Sequence, residues 1–251
     1  MTLSVALFLC PSALAQPDAS ELARVWTAHH ATITQHTEAP ILLSDEDFAL
    51  VASGGVAKRR LSQDGPDRAI GVAWTPHSRP AVWVAIIDDI HNTMVEGLTE
   101  HRLGSSESGG KLLYQRLDFP WPLNDRQWVI EIANDPSLAK ATDGQVWSRH
   151  WALSPQKAPE VADPEALWAP TLDGGWLAID VAEGTLIVYQ ARTTVGGVVP
   201  DGLVTSWAMS TLDEMLGNLF TRAAEIPAHY TADHDPIIGG DGNIISSFKA
   251  P

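Results

Sequence analysis

The chain has 251 residues, 45% of them hydrophobic and 19% charged, the balance of a packed globular domain rather than a disordered or fibrous chain. Its 31 acidic side chains against 16 Lys and Arg give a formal net charge of −15, which argues against nucleic acid as a partner and allows at most transient membrane contact. Cys10 is the single cysteine, so no disulfide forms within the chain.

Leu3 to Leu9 is an apolar run too short for a bilayer, which needs roughly 20 such residues. Ala13-Leu14-Ala15 after it reads as a cleavage site, so residues 1–15 are expected to be a secretory signal peptide and the protein secreted or periplasmic. Ala19 to Gln35 follows as a helix, with Leu22, Val25 and Trp26 at helical spacing. His29, His30 and His36 crowd its end, but no carboxylate or cysteine completes a spacing known for metal, and no metal site is expected. Ser44 is the N-cap of a second helix; Asp45, Glu46 and Asp47 suit its positive end, and Gly54-Gly55 stops it. Val56–Leu61 and Arg68–Trp74 form a hairpin, and Pro80 starts a short helix that buries Val82, Trp83, Ile86 and Ile87 and runs to Asp88. Met94–Leu103 is the next strand.

The stretch Lys111–Ile132 reads as two strands around a stiff corner. Leu112, Leu113, Tyr114, Leu117 and Phe119 suit a half-buried pleated surface, and Pro120-Trp121-Pro122 stops the ladder because proline has no amide donor. Asn124-Asp125 supplies turn chemistry, and Trp128, Ile130 and Ile132 recur at period two. Asn134-Asp135-Pro136 opens a loop, Val146–Leu153 resumes the sheet, and Ser154–Pro164 is a Pro- and acid-rich excursion over the surface. Ala166–Trp168 is a short strand, then Trp176–Val181 and Thr185–Val195 make a hairpin. After the turn at Gly196-Gly197 and Pro200 comes the longest periodic segment, Asp201–Glu225, whose apolar residues recur in steps of three and four. Pro227 ends it, leaving residues 226–251 as a tail on the surface, with Gly239–Asn243 a plain turn rather than a calcium loop. No internal repeat or domain boundary divides residues 16–225.

The Tyr114 strand, the Pro-Trp-Pro corner and the Asp125-Arg126 that opens the next strand resemble the central hairpin of START-type domains, members of the polyketide-cyclase-like (helix-grip, SRPBCC) superfamily. Gly174-Gly175-Trp176, the Gly196–Pro200 turn and the long last helix extend the resemblance over much of Leu43–Ala224. It implies an α+β helix-grip fold: a curved antiparallel sheet wrapped around the long C-terminal helix, with an internal hydrophobic cavity. The resemblance further implies that a lipid or other hydrophobic small molecule occupies that cavity.

Alternation puts Tyr114, Arg116 and Asp118 on one side of their strand and Leu113, Gln115 and Leu117 on the other. With Trp128 and Ile130 turned to the cavity, as the resemblance implies, Tyr114 and Arg116 are expected to project inward as well. Trp147, Arg149 and Trp151 are a second alternating set, Tyr189 lies on the last long strand, and Trp207, Met215 and Leu219 lie on the closing helix. These are the expected ligand-binding residues. No Gly-x-Ser-x-Gly elbow, His-Glu-x-x-His or phosphate loop occurs, so no catalytic residue and no cofactor is expected. Acid/base work of the cyclase, aromatase or dehydratase kind would draw on Tyr114, His150 and Tyr189 with Arg149, which alternation does not bring to one face. The expected function is therefore binding and transport of a hydrophobic molecule by a monomer, with such an enzyme, or a ligand-free interaction module, as alternatives.

Overall fold

Alternating apolar residues along successive segments build one large twisted sheet, and each face of it is covered by helices. The computed structural model describes residues 16–37, 39–87, 96–119, 121, 123–155, 160–182, 184–197, 199–230, 236–246 and 248. The expected leader, Pro120 and Pro122 of the corner, and the start of the strand expected from Met94 lie outside them.

In chain order the elements are α1 (Ala19–His36), α2 (Asp45–Ala52), β1 (Ala57–Leu61), β2 (Arg68–Thr75), α3 (Arg79–Ile87), β3 (Leu98–Ser105), β4 (Lys111–Leu117) and β5 (Arg126–Asn134). Then follow α4 (Pro136–Ala141), β6 (Val146–Leu153), β7 (Leu167–Trp168), β8 (Thr171–Val181), β9 (Gly184–Thr194), α5 (Asp201–His229), β10 (Ile237–Ile238) and β11 (Ile244–Ile245). Among the described residues the sheet has nine strands, in the order β1-β2-β9-β8-β6-β5-β4-β3. All pairs along that path are antiparallel; β7 joins β5 in parallel from outside it.

The cores on the two faces follow from period two. Val72, Val188 and Leu177 stand in register across β2, β9 and β8 and face Leu22, Val25, Trp26 and Ile33 of α1 and Phe48 and Val51 of α2. Ala73, Ile187 and Ala178, one residue along, face α3 and the C-terminal half of α5 instead. Helix ends are fixed locally: Asp18 accepts the Glu21 amide, and Ser44 and Asp47 form a reciprocal capping box.

Four expectations need correction. Asn134-Asp135-Pro136 opens no loop: Asn134 is the last residue of β5, and Asp135 and Pro136 are the N-cap and first residue of α4. Asp135 accepts the amides of Ser137 and Leu138, and Pro136 occupies the first turn, where no amide partner is needed. The strand expected from Trp176 begins at Thr171, because residues 171–175 already pair with β9, and Gly174 keeps its place in the sheet where a Cβ would run into the Gln190 carbonyl oxygen. α5 runs through Pro227 to His229, since the fully buried Ile226 holds the last turn in the core at the expense of one helical hydrogen bond. Finally, residues 236–246 of the expected surface tail form the β10–β11 hairpin and pack against the core. Trp83 Nε1 donates to the Ile238 carbonyl at 3.2 Å, and Ile245 is buried.

Candidate ligand-binding site

Between the concave face of the sheet and the N-terminal half of α5 lies a cavity of about 230 Å³. A water's share of liquid volume is about 30 Å³, so the space suits an organic guest rather than one trapped water. The void has a cause in the register. Ala69 and Ala191 stand side by side on β2 and β9, so small side chains floor the concave face there, while Trp151 covers Gly174 beside them. Leu113, Trp128, Ile130, Trp151, Trp176 and Met215 supply most of the apolar wall.

The mouth lies beside the β4–β5 corner. Phe119 and Trp207 approach there with ring centroids 6.4 Å apart, and Trp207 is 45% exposed. Leu203, one turn earlier on α5, is 63% exposed, and Trp121 on the corner is 92% exposed. Arg126 fastens this end. Its guanidinium, 5.1 Å from the Phe119 ring centroid, donates to the carbonyls of Asn124, Val195 and Gly196, tying the corner to the turn that precedes α5.

No family model matches the chain. An uncharacterized protein of Pseudomonas aeruginosa is 29% identical over 116 residues, and that match spans 46% of this chain and only 54% of the relative. Solved structures match more of it. The STAR-related lipid transfer protein of Xanthomonas axonopodis superposes with a TM-score of 0.56 at 18% identity, covering 67% of this chain and 93% of that one. Human STARD10 gives 0.59 at 10% identity, covering 80% of each chain. Human StAR-related lipid transfer protein 5 gives 0.54 at 11% identity, covering 84% and 99%. The chain has the START-type helix-grip fold.

Within this START-type fold the expected site residues separate into two groups. Trp128, Ile130, Arg149, Trp151, Tyr189, Trp207 and Met215 line the cavity or its mouth. Tyr114 and Arg116 do not. Directly opposed residues of an antiparallel pair share a face, and the β4–β5 register sets Leu113 against Ile130 and Gln115 against Trp128. Gln115 therefore faces the cavity, where its Oε1 accepts from Trp128 Nε1 at 2.6 Å and its Nε2 donates to Glu100. On the outer face, Tyr114 is sealed under the excursion after β6: its hydroxyl donates to Gln127 Oε1 at 2.9 Å and accepts from the Asp163 amide at 3.3 Å. Arg116 sits among Asp163, Asp118 and Asp125 at 2.9, 3.3 and 3.8 Å. His150, one of the acid/base candidates, is exposed on β6, one residue out of step with the inward Arg149 and Trp151.

Trp147 and Leu219 point the right way but lie outside the cavity. Trp147 shares the inner side of β6 with Arg149 and Trp151, yet Trp83 of α3 meets it edge-on at 5.4 Å. The Arg79 guanidinium lies 4.2 Å above its ring, and Gly240 of the terminal hairpin presses against it. Burial drives the Arg79 pKa down, though Asp180 at 3.0 Å opposes this, and the same burial raises Asp180. Leu219, one turn past Met215, is fully buried in the core shared with α3. The inner stripe of α5 is thus split: Val204 to Met215 faces space, while Leu216 to Ile226 faces protein.

Arg149 is held by Asn134, its partner in the β5–β6 register, whose Oδ1 accepts from Nη1 at 3.1 Å. Tyr189 stacks between Trp151 and Trp176, with centroids 5.8 and 4.7 Å away, and burial pushes its pKa up to about 12. It is a neutral phenol at any working pH, a hydrogen-bond donor rather than a base. The expected ligand-binding residues omitted Gln115 and Trp176, which line the cavity; the signal for Gln115 was the cross-strand register, which requires the length of the corner to be known. Among the described residues no cluster of three His, Cys, Asp or Glu is placed to hold a metal ion, and His36 is engaged with Asp135 at 2.7 Å.

Proposed function

We propose that the protein binds one lipid or other hydrophobic small molecule in this cavity and carries it unchanged through an aqueous compartment. The observation that carries the reading is the apolar void between Ala69–Ala191 and the N-terminal half of α5. Without a guest, the apolar wall forgoes the dispersion contacts that a packed core makes. A guest that fills it recovers those contacts. The START-type fold, shared with proteins described as lipid transfer proteins, supports the same reading. The apolar run and Ala13-Leu14-Ala15 at the start support a secreted or periplasmic carrier, which N-terminal sequencing of the exported protein tests.

The test of carriage is movement of a fluorescent lipid analogue between two populations of neutral vesicles. Transfer faster in proportion to protein concentration is expected. No acceleration, together with no analogue bound after the vesicles are removed, would refute the proposal.

A further inference from the structure

Most polar groups in the cavity wall are tied to other protein groups. Trp128, Gln115 and Glu100 form a chain of hydrogen bonds, and Arg149 is engaged with Asn134. Tyr189 differs. Its ring packs against Trp151 and Trp176, and its hydroxyl makes no hydrogen bond to any described residue where the side chain lines the cavity. Tyr114, the tyrosine of the outer face, shows the contrast: its hydroxyl has two partners.

Phenylalanine would fill the same place between Trp151 and Trp176, so what the hydroxyl adds there is one hydrogen-bonding group directed at the cavity. The groups beside it are donors as well. The indole N–H groups of Trp151 and Trp176 have no acceptor among the described residues, and an indole cannot accept in return. Three donors therefore meet on this wall, and the one acceptor among them is the phenol oxygen of Tyr189 itself. It also lies deep. Val195, just past the end of β9, stands at the mouth, where Arg126 holds its carbonyl, and Tyr189 is six residues back in β9, roughly 20 Å at strand rise.

We propose that Tyr189 is the polar anchor of the cavity, donating its hydroxyl to a carbonyl oxygen at the buried end of the guest. The ligand is then an oxygenated apolar molecule, a ketone, ester or acid, with its oxygen against Tyr189 and its hydrocarbon toward Trp207. This rests on the binding reading above and adds to it the chemistry of the guest.

The test compares methyl undecyl ketone with tridecane, a matched pair differing in the carbonyl. Each displaces N-phenylnaphthylamine, a neutral fluorescent probe, from the full chain and from its Tyr189→Phe variant. The variant is expected to lose about tenfold in affinity for the ketone while holding the alkane as before. In the wild type the infrared carbonyl band of bound ketone should lie below its position in hydrocarbon solvent, and in Tyr189→Phe it should return there. An unshifted band in the wild type, or an unchanged ratio of ketone to alkane affinity, would overturn the anchor. If the wild type binds neither the probe nor either competitor, the cavity-binding reading itself falls. Should the variant fold poorly, the wild-type band decides alone.

Discussion

Gln115 and Trp128 stand directly opposite each other in the β4–β5 pair, and the indole of Trp128 donates to the Gln115 amide oxygen at 2.6 Å. The register that opposes them sets Gln115, not Tyr114, on the inner face of the central hairpin. The hydrogen bond holds a large aromatic ring upright on the cavity wall. In Gln115→Leu the indole N–H loses its acceptor while the apolar wall is preserved. A loss of about 1–3 kcal/mol is expected in urea denaturation; no loss would mean that water replaces Gln115 at no cost.

Trp147 and Trp207 were both expected to touch a guest, and the structure assigns them opposite surroundings. Trp147 is packed among Trp83, Arg79 and Gly240, so Trp147→Ala should cost about 3–5 kcal/mol. Trp207 is 45% exposed at the mouth. Trp207→Ala should change stability by less than about 1 kcal/mol while altering the rate at which a fluorescent lipid enters. Equal stability losses in the two variants would contradict the placement of Trp147 in the core and Trp207 at the mouth.

Gly240 tests the terminal hairpin. A Cβ there would lie 2.5 Å from the Cβ of Trp147 and 3.0 Å from the Trp83 ring. Gly240→Ala should therefore destabilise by about 1–3 kcal/mol through overpacking. A neutral result in a thermal melt would show that residues 236–246 do not seat against the core in solution.

Asp47 links stability to pH. Burial alone would raise its pKa, but Arg59 and the Ser44 amide and hydroxyl outweigh burial and hold it below the ordinary carboxylate value. A depressed folded pKa means that its contribution is complete above roughly pH 4 and disappears as pH falls through the folded value. Wild type should lose stability on acidification below that point, and Asp47→Asn should lose less. Parallel stability–pH curves for the two proteins would remove Asp47 from the account.

Much of the fold was legible because its signals are local. Leu22, Val25 and Trp26 mark the buried stripe of α1, and Ser44 with Asp47 marks the start of α2. Asn134-Asp135-Pro136 was ambiguous for a physical reason: an Asx residue before proline serves a turn and a helix N-cap alike, and only the Ser137 and Leu138 amides decide. The site was harder. Period two says that Tyr114 and Gln115 face opposite ways, but not which way is in; that depends on pairing across a corner of uncertain length. Trp147 and Leu219 were misplaced because the groups that fill the space around them, Trp83 and Gly240, arrive from distant parts of the chain.

The central claim is that the space above Ala191 is reserved for a guest. Ala191→Phe would project a side chain into that space from a floor otherwise made of Ala69. The decisive measurement is native mass spectrometry of wild type and Ala191→Phe side by side, after incubation with a mixed lipid extract. One bound guest per wild-type chain is expected, with the variant folded and bare. A wild type as bare as the variant would contradict the account.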